Sequence, residues 1–388
     1  MAIYLTIFSL FFISSMLEVG GLKKSQKIGL FYCLAIILTL FVGLRYHTGA
    51  DWSGYIKFFN NSLLHNKASY EPCYFALNKL FKNIFDNYYV LQFTCSLFFV
   101  FAVSKFYKKE ADYPVTALLI LVCILLFEIF MAQVRQSIAV GIIILGANYI
   151  FDRKLLHFLF VVFLASLFHI SAVAAIPLYF LYQNWGRIVP IIIICVTNII
   201  FFFPKIIKSV VLWIAPVFPA RLAEISEDYF KSSFAESVEF SSGLFYIGQT
   251  ILIILVISFV KIKDNKMAFF VNCLTIFAAI KALSNGMFIL SRLQVFYLVF
   301  GVMAITFLID LDIKKLIQSK LVFAVLITLF FLITPLKGLL STEINPLTNR
   351  PANYPLNPYY NCISYPAKAT LRKDWNEKDK KTIKEKEE

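Results

Sequence analysis

The sequence predicts an all-α polytopic membrane protein with about 10–12 transmembrane helices. Of its 388 residues, 60% are hydrophobic and only 15% are charged, whereas soluble domains have roughly 45–50% apolar and about 25% charged residues. Several apolar runs reach the roughly 20 residues that a helix needs to cross a bilayer. The lysines gather in short clusters between these runs, as in the cytoplasmic loops of membrane proteins. A soluble enzyme, a disordered chain and a disulfide-stapled secreted domain are therefore excluded.

The net charge of +14 does not indicate a nucleic-acid partner, because the basic residues do not share one face or one helix. A signal peptide requires a basic residue ahead of its apolar run, and the first apolar run here has none. We therefore expect it to be retained as the first helix.

The apolar runs predict the order of the spans. Residues 155–182 allow two readings, one long tilted helix or a broken pair with a turn near His169. A very short turn joins the fourth span to the fifth. The predicted spans are 1–17, 28–44, 88–106, 113–132, 136–151, 155–182, 188–204, 206–218, 244–260, 267–283, 288–308 and 321–336.

The basic clusters predict the orientation, because basic residues are enriched in cytoplasmic loops. In the predicted topology all five clusters fall on one side; they are residues 23–27, 105–109, 153–154, 261–266 and 314–320. We therefore expect the N-terminus outside. The predicted organisation is a transmembrane domain over 1–340 with external loops 45–87 and 219–241, an irregular external segment 341–366 and a disordered charged tail 367–388.

Three arginines are the first candidates for function. Arg45, Arg135 and Arg292 approach the predicted outer face, and none belongs to a lysine cluster. Charged groups at membrane depth are costly and are functional candidates by default. A guanidinium also binds phosphate oxygens in a bidentate way. The alternative is that each arginine extends towards the outer headgroups.

Other polar residues are expected near the same face. Asp51 follows Arg45 at short range, and Glu71 opens the amphipathic segment EPCYFALNKLF. His169 stands in a long apolar run, so its partner must come from another helix or from a ligand; the alternative is a hydrogen-bonded packing residue. Gln136 adjoins Arg135 between two apolar runs, where interhelix hydrogen bonding is the structural alternative.

Four motifs follow one another along the chain: R-Y-H-T-G-A-D-W-S-G-Y, E-P-C-Y, Q-V-R-Q-S-I-A and F-H-I-S-A. In this order they resemble the EpsG family of bacterial exopolysaccharide proteins, which are Wzy-like polysaccharide polymerases. The dense part of the resemblance covers residues 40–180, and the later part is carried by Arg292 and the ending N-P-Y-Y. The matching residues are Arg45, Gly49, Asp51, Tyr55, Glu71, Arg135, Gln136, His169 and Ser171.

The resemblance implies a GT-C-like membrane glycosyltransferase architecture and a reaction at the outer face of the bacterial inner membrane. Such enzymes join oligosaccharide repeat units carried on undecaprenyl diphosphate into O-antigen, capsule or exopolysaccharide. The implied partners are the lipid-linked donor and acceptor, the bilayer, a chain-length regulator and a flippase. We expect no cofactor, and the lack of an acidic cluster on the outer face argues against a metal.

The implied chemistry assigns roles to the candidate residues. Arg135 and Arg292, with Arg45, would hold the diphosphate and stabilise its developing charge. Either His169 or Asp51 would activate the acceptor hydroxyl, and the sequence leaves this choice open. The further predicted substrate-binding residues are Tyr55, Glu71 and Gln136.

The sequence leaves three other functions open. An O-antigen ligase would use the same donor and transfer the finished chain. A flippase should show charged residues along a central cavity and two similar halves, whereas the candidate residues here gather on one face. A scaffold of an export complex would tolerate changes at Arg135 and His169.

Overall fold

The computed structural model describes residues 2–63, 71–201, 209, 213, 243–284, 290–310, 320–340, 344–345, 350–351 and 359–361. The described chain is almost entirely helical, which confirms the all-α polytopic prediction. The predicted span 206–218, the loop 219–241 and the segments 341–366 and 367–388 lie wholly or largely outside the described residues.

The helices follow the apolar runs closely. Their bounds are α1 Ala2–Val19, α2 Lys24–Gly43, α3 Trp52–Asn61, α4 Pro72–Phe85, α5 Tyr88–Glu110, α6 Pro114–Leu125, α7 Val134–Leu145, α8 Ala147–Phe151, α9 Leu155–Ser166, α10 Ile188–Phe201, α11 Gly243–Phe259, α12 Asn265–Leu283, α13 Ser291–Thr306 and α14 Lys320–Leu340. A π turn, Leu126–Phe130, continues α6, and 3-10 helices cover Ile170–Leu181 and Phe307–Asp310.

Two short antiparallel ladders accompany the helices. Strand β1, Arg45–Tyr46, pairs with β4, Tyr360–Asn361, and β2, Ile344–Asn345, pairs with β3, Arg350–Pro351. The first ladder ties the chain just after α2 to a segment near the C-terminus.

Among the described residues, five helices are long and apolar enough to cross a membrane by length and composition: α1, α2, α5, α12 and α13 with its 3-10 extension. Shorter apolar helices pack with them, and α6 and α13 are buried on almost every side. A helix that is hydrophobic all round belongs in the interior of a bundle. The core therefore lies around α6 and α13, in agreement with a multi-pass membrane protein.

Four of the predicted basic clusters meet at one end of the bundle, here called the lysine end. Lys27 lies over the ring of Tyr113 at 4.8 Å, and Lys108 lies over the ring of Tyr32 at 5.0 Å. The other contacts there are Lys109 Nζ to Asn148 Oδ1 at 2.8 Å, Lys266 Nζ to Glu110 Oε2 at 3.0 Å, and Arg153 over the ring of Tyr179 at 4.4 Å. The convergence supports the alternation of the predicted spans. Which side of the membrane this end faces stays a prediction.

The apolar run 155–182 forms a broken pair rather than one long helix. Helix α9 ends at Ser166, and the chain turns back as the 3-10 helix Ile170–Leu181. Both arms return to the lysine end, where Arg153 Nη1 donates to the carbonyl of Tyr179 at 2.9 Å. The turn places His169 at the opposite end of the bundle, here called the site end.

A carboxylate that the sequence analysis did not single out fixes the start of α6. Glu18 is fully buried in the last turn of α1 and accepts the backbone N–H groups of Val115 and Thr116, both at 2.9 Å. It also accepts the Thr116 hydroxyl at 2.9 Å. The first N–H groups of a helix have no partner within the helix. Glu18 therefore caps α6 from a different helix.

We expect Glu18→Ala to lower the free energy of unfolding by about 3 kcal/mol, because two buried N–H groups would lose their partner. Thermal unfolding of the detergent-solubilised protein measures the effect. Leu17→Ala is the matched control, since Leu17 is 52% exposed. A loss for Glu18→Ala no larger than that for the control would contradict this role.

Candidate functional site

The loop after α2 packs on the short turn between the π turn and α7. Gly49 has φ of +110°, and a Cβ atom there would lie 2.3 Å from the carbonyl oxygen of Met131. Positive φ is accessible to glycine at little cost, and the close approach leaves no room for a side chain. Gly49 thus lets the loop that carries Asp51 approach the turn that precedes Arg135.

Glu71 joins the start of α4 to the break after α9. It stands just before Pro72, which occupies the first turn of α4, and the N–H of Cys73 donates to the carbonyl of Leu167 at 3.0 Å. In return, Glu71 Oε1 accepts the N–H of Ile170 at 3.2 Å. A carboxylate at a helix N-terminus is favoured by the unpaired N–H groups and the dipole. The two elements therefore fix each other in place.

The same carboxylate contacts two further candidate residues. Glu71 Oε2 lies 2.5 Å from Arg135 Nη1, and Oε1 lies 3.0 Å from His169 Nδ1. Burial alone would raise the pKa of Glu71, but the His169 hydrogen bond and the charge of Arg135 outweigh it and lower the pKa to about 2. Glu71 is therefore an ionised group between an arginine and a histidine.

The carboxylate of Glu71 orients the imidazole ring of His169. Its side chain is almost buried, and Nδ1 faces Glu71. Nε2 makes no hydrogen bond with any residue that the structure describes. Since Glu71 is ionised, the proton between them lies on Nδ1, and Nε2 is the nitrogen that can accept another.

Arg135 connects the histidine to the loop residues. Its guanidinium hydrogen-bonds the side chain of Tyr55 and interacts electrostatically with Asp51. Tyr55 is buried, which raises its pKa although Arg135 opposes the shift. Tyr55 therefore stays a neutral phenol that supports Arg135.

Asp51 and Arg292 complete the cluster. Asp51 is exposed, and partial desolvation raises its pKa although Arg292 and Arg135 both lower it. Arg292 is half-buried and has no ion pair with a described residue. Gln136 is buried and donates its amide to the backbone carbonyl of Arg292. Gln136 thereby holds the start of α13 next to the start of α7.

Arg45 occupies a different environment from the other candidates. It is 1% exposed, and Nη1 donates to the carbonyl of Val42. The Gln92 amide donates to the carbonyl oxygens of Arg45 at 2.7 Å and Gly43 at 2.9 Å. Burial lowers the pKa of Arg45, and neighbouring tyrosines oppose this. These contacts favour a positioning role, and substrate binding by Arg45 stays a prediction.

The structure thus brings seven of the eight sequence-predicted residues into one connected cluster, with Arg45 set apart; the seven are Asp51, Tyr55, Glu71, Arg135, Gln136, His169 and Arg292. Sequence reasoning missed two ionisable residues beside it, Glu128 and Lys281, which interact with one another electrostatically. The signal that could have found them is a charge inside an apolar span.

Residues 28–349 match the model of the EpsG family. The chain belongs to the EpsG family. This is the family of Wzy-like polysaccharide polymerases, so a polymerase-type role in polysaccharide biosynthesis follows for this membrane protein. Every residue of the cluster lies inside the matched range. The chain matches no curated protein and no solved structure. Among the described residues, no group of three or more His, Cys, Asp and Glu side chains is placed to hold a metal ion.

Proposed function

We propose that this EpsG-family protein joins oligosaccharide repeat units carried on polyprenyl diphosphate into a polysaccharide. The acceptor hydroxyl oxygen attacks the anomeric carbon of the donor chain, and the bond from that carbon to the phosphate oxygen breaks. The electron pair leaves with the lipid diphosphate, and the hydroxyl proton passes to the enzyme. The observation that carries the proposal is the Glu71–His169 contact with Arg135, Asp51 and Arg292 beside it.

His169 is the residue that accepts the hydroxyl proton in this proposal. Glu71 fixes Nδ1, so Nε2 is available to the acceptor, and the carboxylate stabilises the imidazolium that forms. A positioned base of this kind contributes about 10²–10⁴-fold to a rate. The histidine therefore takes the base role that the sequence left open between His169 and Asp51.

Arg292 binds the leaving diphosphate. Arg135 already forms an ion pair with Glu71 and a hydrogen bond with Tyr55. Arg292, in contrast, has no ion-pair partner among the described residues. A positive charge placed where negative charge develops stabilises the transition state. Arg135 adds positive potential between the base and the diphosphate, and Asp51 is exposed to accept a hydrogen bond from the acceptor sugar.

The charge distribution supports the position that we propose for the site in the membrane. Since basic residues are retained in the cytoplasm, the lysine end faces the cytoplasm and the site end faces outward. We therefore place the reaction at the outer face of the bacterial inner membrane, with the N-terminus outside.

The length distribution of the cell-surface polysaccharide in a strain that lacks the gene tests this function. We expect glycan that stops at one repeat unit, with full length restored by the wild-type gene and not by an equally expressed Arg292→Met variant. Loss of all surface glycan with lipid-linked units trapped inside would identify a flippase instead. Full-length polymer left on its lipid carrier would identify a ligase.

A further inference from the structure

Lys281 is a cation inside the bundle that has no role in the proposed reaction. It lies in the last turn of α12, a membrane-spanning helix, and Nζ donates to Oε1 of Gln249, which is 6% exposed. A cation near a helix C-terminus is favoured by the dipole, but that effect does not require a buried amide oxygen from another helix. The ammonium is held in place by a neutral group, so its charge is not cancelled by that bond.

Glu128 lies at the same end of the bundle as this lysine. It belongs to the π turn that ends the α6 span, a rare backbone form often found at functional sites. Its side chain is exposed and interacts electrostatically with both Lys281 and Arg292. No described residue lies within ion-pair distance of the Glu128 carboxylate. The two cations therefore interact with one carboxylate, and neither lies within ion-pair distance of it.

Arg292 links this group to the reacting end of the site. It lies in the first turn of α13, at the same end of the packed α12–α13 pair as Lys281, and it interacts electrostatically with both Asp51 and Glu128. Gln136 of α7, the helix that also carries Arg135, donates to the backbone carbonyl of Arg292. Lys281 is instead held by Gln249 of α11. Along the cluster, Arg292 is therefore nearer to the base and Lys281 is farther from it.

We propose that Lys281 and Arg292 form a two-cation clamp on the lipid diphosphate, with Arg292 on the phosphate joined to the sugar and Lys281 on the phosphate joined to the lipid. This inference rests on the proposed function. One cation for each phosphate matches a ligand with two adjacent anionic groups. Glu128 is the internal counter-ion of the clamp when the site is empty, and it competes with the ligand for both cations.

The test measures the affinity of the purified protein, in lipid nanodiscs, for a polyprenyl diphosphate and for the monophosphate of the same chain length. We expect Lys281→Met to weaken diphosphate binding about tenfold, the loss of one charge-assisted contact, and to change monophosphate binding much less. Glu128→Gln should tighten diphosphate binding, because the competing carboxylate is removed. Lys266→Met is the matched control, since it alters a lysine at the opposite end of α12.

The outcomes separate this inference from the proposed function. Unchanged diphosphate affinity in both Lys281→Met and Glu128→Gln would overturn the clamp, while preference of the wild type for the diphosphate would still support the function. A wild-type protein with no preference for the diphosphate over the monophosphate would contradict both. Because Glu128→Gln is expected to act in the opposite direction to Lys281→Met, general misfolding cannot produce the expected pair of results.

Discussion

His169→Asn is expected to reduce the rate of polymer formation by about 10²–10⁴-fold. The asparagine amide can still donate a hydrogen bond to Glu71, so the local packing is kept. It cannot accept the proton of the acceptor hydroxyl, so the chemical step loses its base. The rate is measured as repeat units joined per minute by purified protein supplied with lipid-linked units.

The control for this variant is His157→Asn on the same helix arm. His157 lies near the lysine end, where its ring is 5.2 Å from that of Tyr149, and its replacement should leave the rate within about threefold of the wild type. A rate for His169→Asn close to that of the control would contradict the base assignment. If Asp51→Asn then abolished the reaction, Asp51 would be the base.

Glu71→Gln is expected to lower both stability and activity. Glu71 and Arg135 are only partly exposed, with side chains 15% and 19% accessible. Removal of one partner of a buried pair leaves a charge without compensation and costs roughly 3–5 kcal/mol, less where water has access. The imidazole of His169 would also lose the carboxylate that orients it, so we expect the rate to fall about a hundredfold.

The stability effect of Glu71→Gln has a defined pH dependence. The pKa of Glu71 is lowered from 4.5 to about 2 in the folded protein, so its contribution is fully present above pH 4.5 and is lost as the pH falls towards 2. The difference in unfolding free energy between wild type and variant should therefore be constant near neutral pH and shrink in acid.

Asp86→Asn is the matched control for this measurement. Asp86, which directly follows α4, pairs with Lys82 of that helix, but its side chain is 74% exposed, and exposed ion pairs contribute little. A destabilisation by Glu71→Gln as small as that by Asp86→Asn would contradict the role of Glu71 in joining α4, α7 and α9.

The bundle could be predicted from the sequence because the bilayer imposes a strong constraint on it. A helix that crosses lipid needs a long apolar run, and most of the predicted spans coincide with helices within a few residues. The break in 155–182 could not be decided in advance, because the run stays apolar across it. The deciding contacts are made by Glu71 and Cys73, which lie far away in the chain.

The residues of the candidate site could be predicted from the sequence, but the contacts between them could not. Residue types and local motifs singled out Glu71, Arg135 and His169, whereas their mutual contacts depend on tertiary packing across 64 and 98 residues of chain. The burial of Arg45 was missed for the same reason. Glu18, Glu128 and Lys281 were overlooked because the surrounding apolar residues dominate the pattern of their spans.

In the most direct measurement, purified wild-type protein is placed in vesicles. It is then given lipid-linked single repeat units extracted from the strain that lacks the gene. The account predicts a ladder of products, each longer by one repeat unit, with release of free polyprenyl diphosphate and no added nucleotide sugar. His169→Asn protein in the same vesicles should leave the single units unchanged. Single units that also remain unjoined with the folded wild-type protein would contradict the claim that this chain is the polymerase.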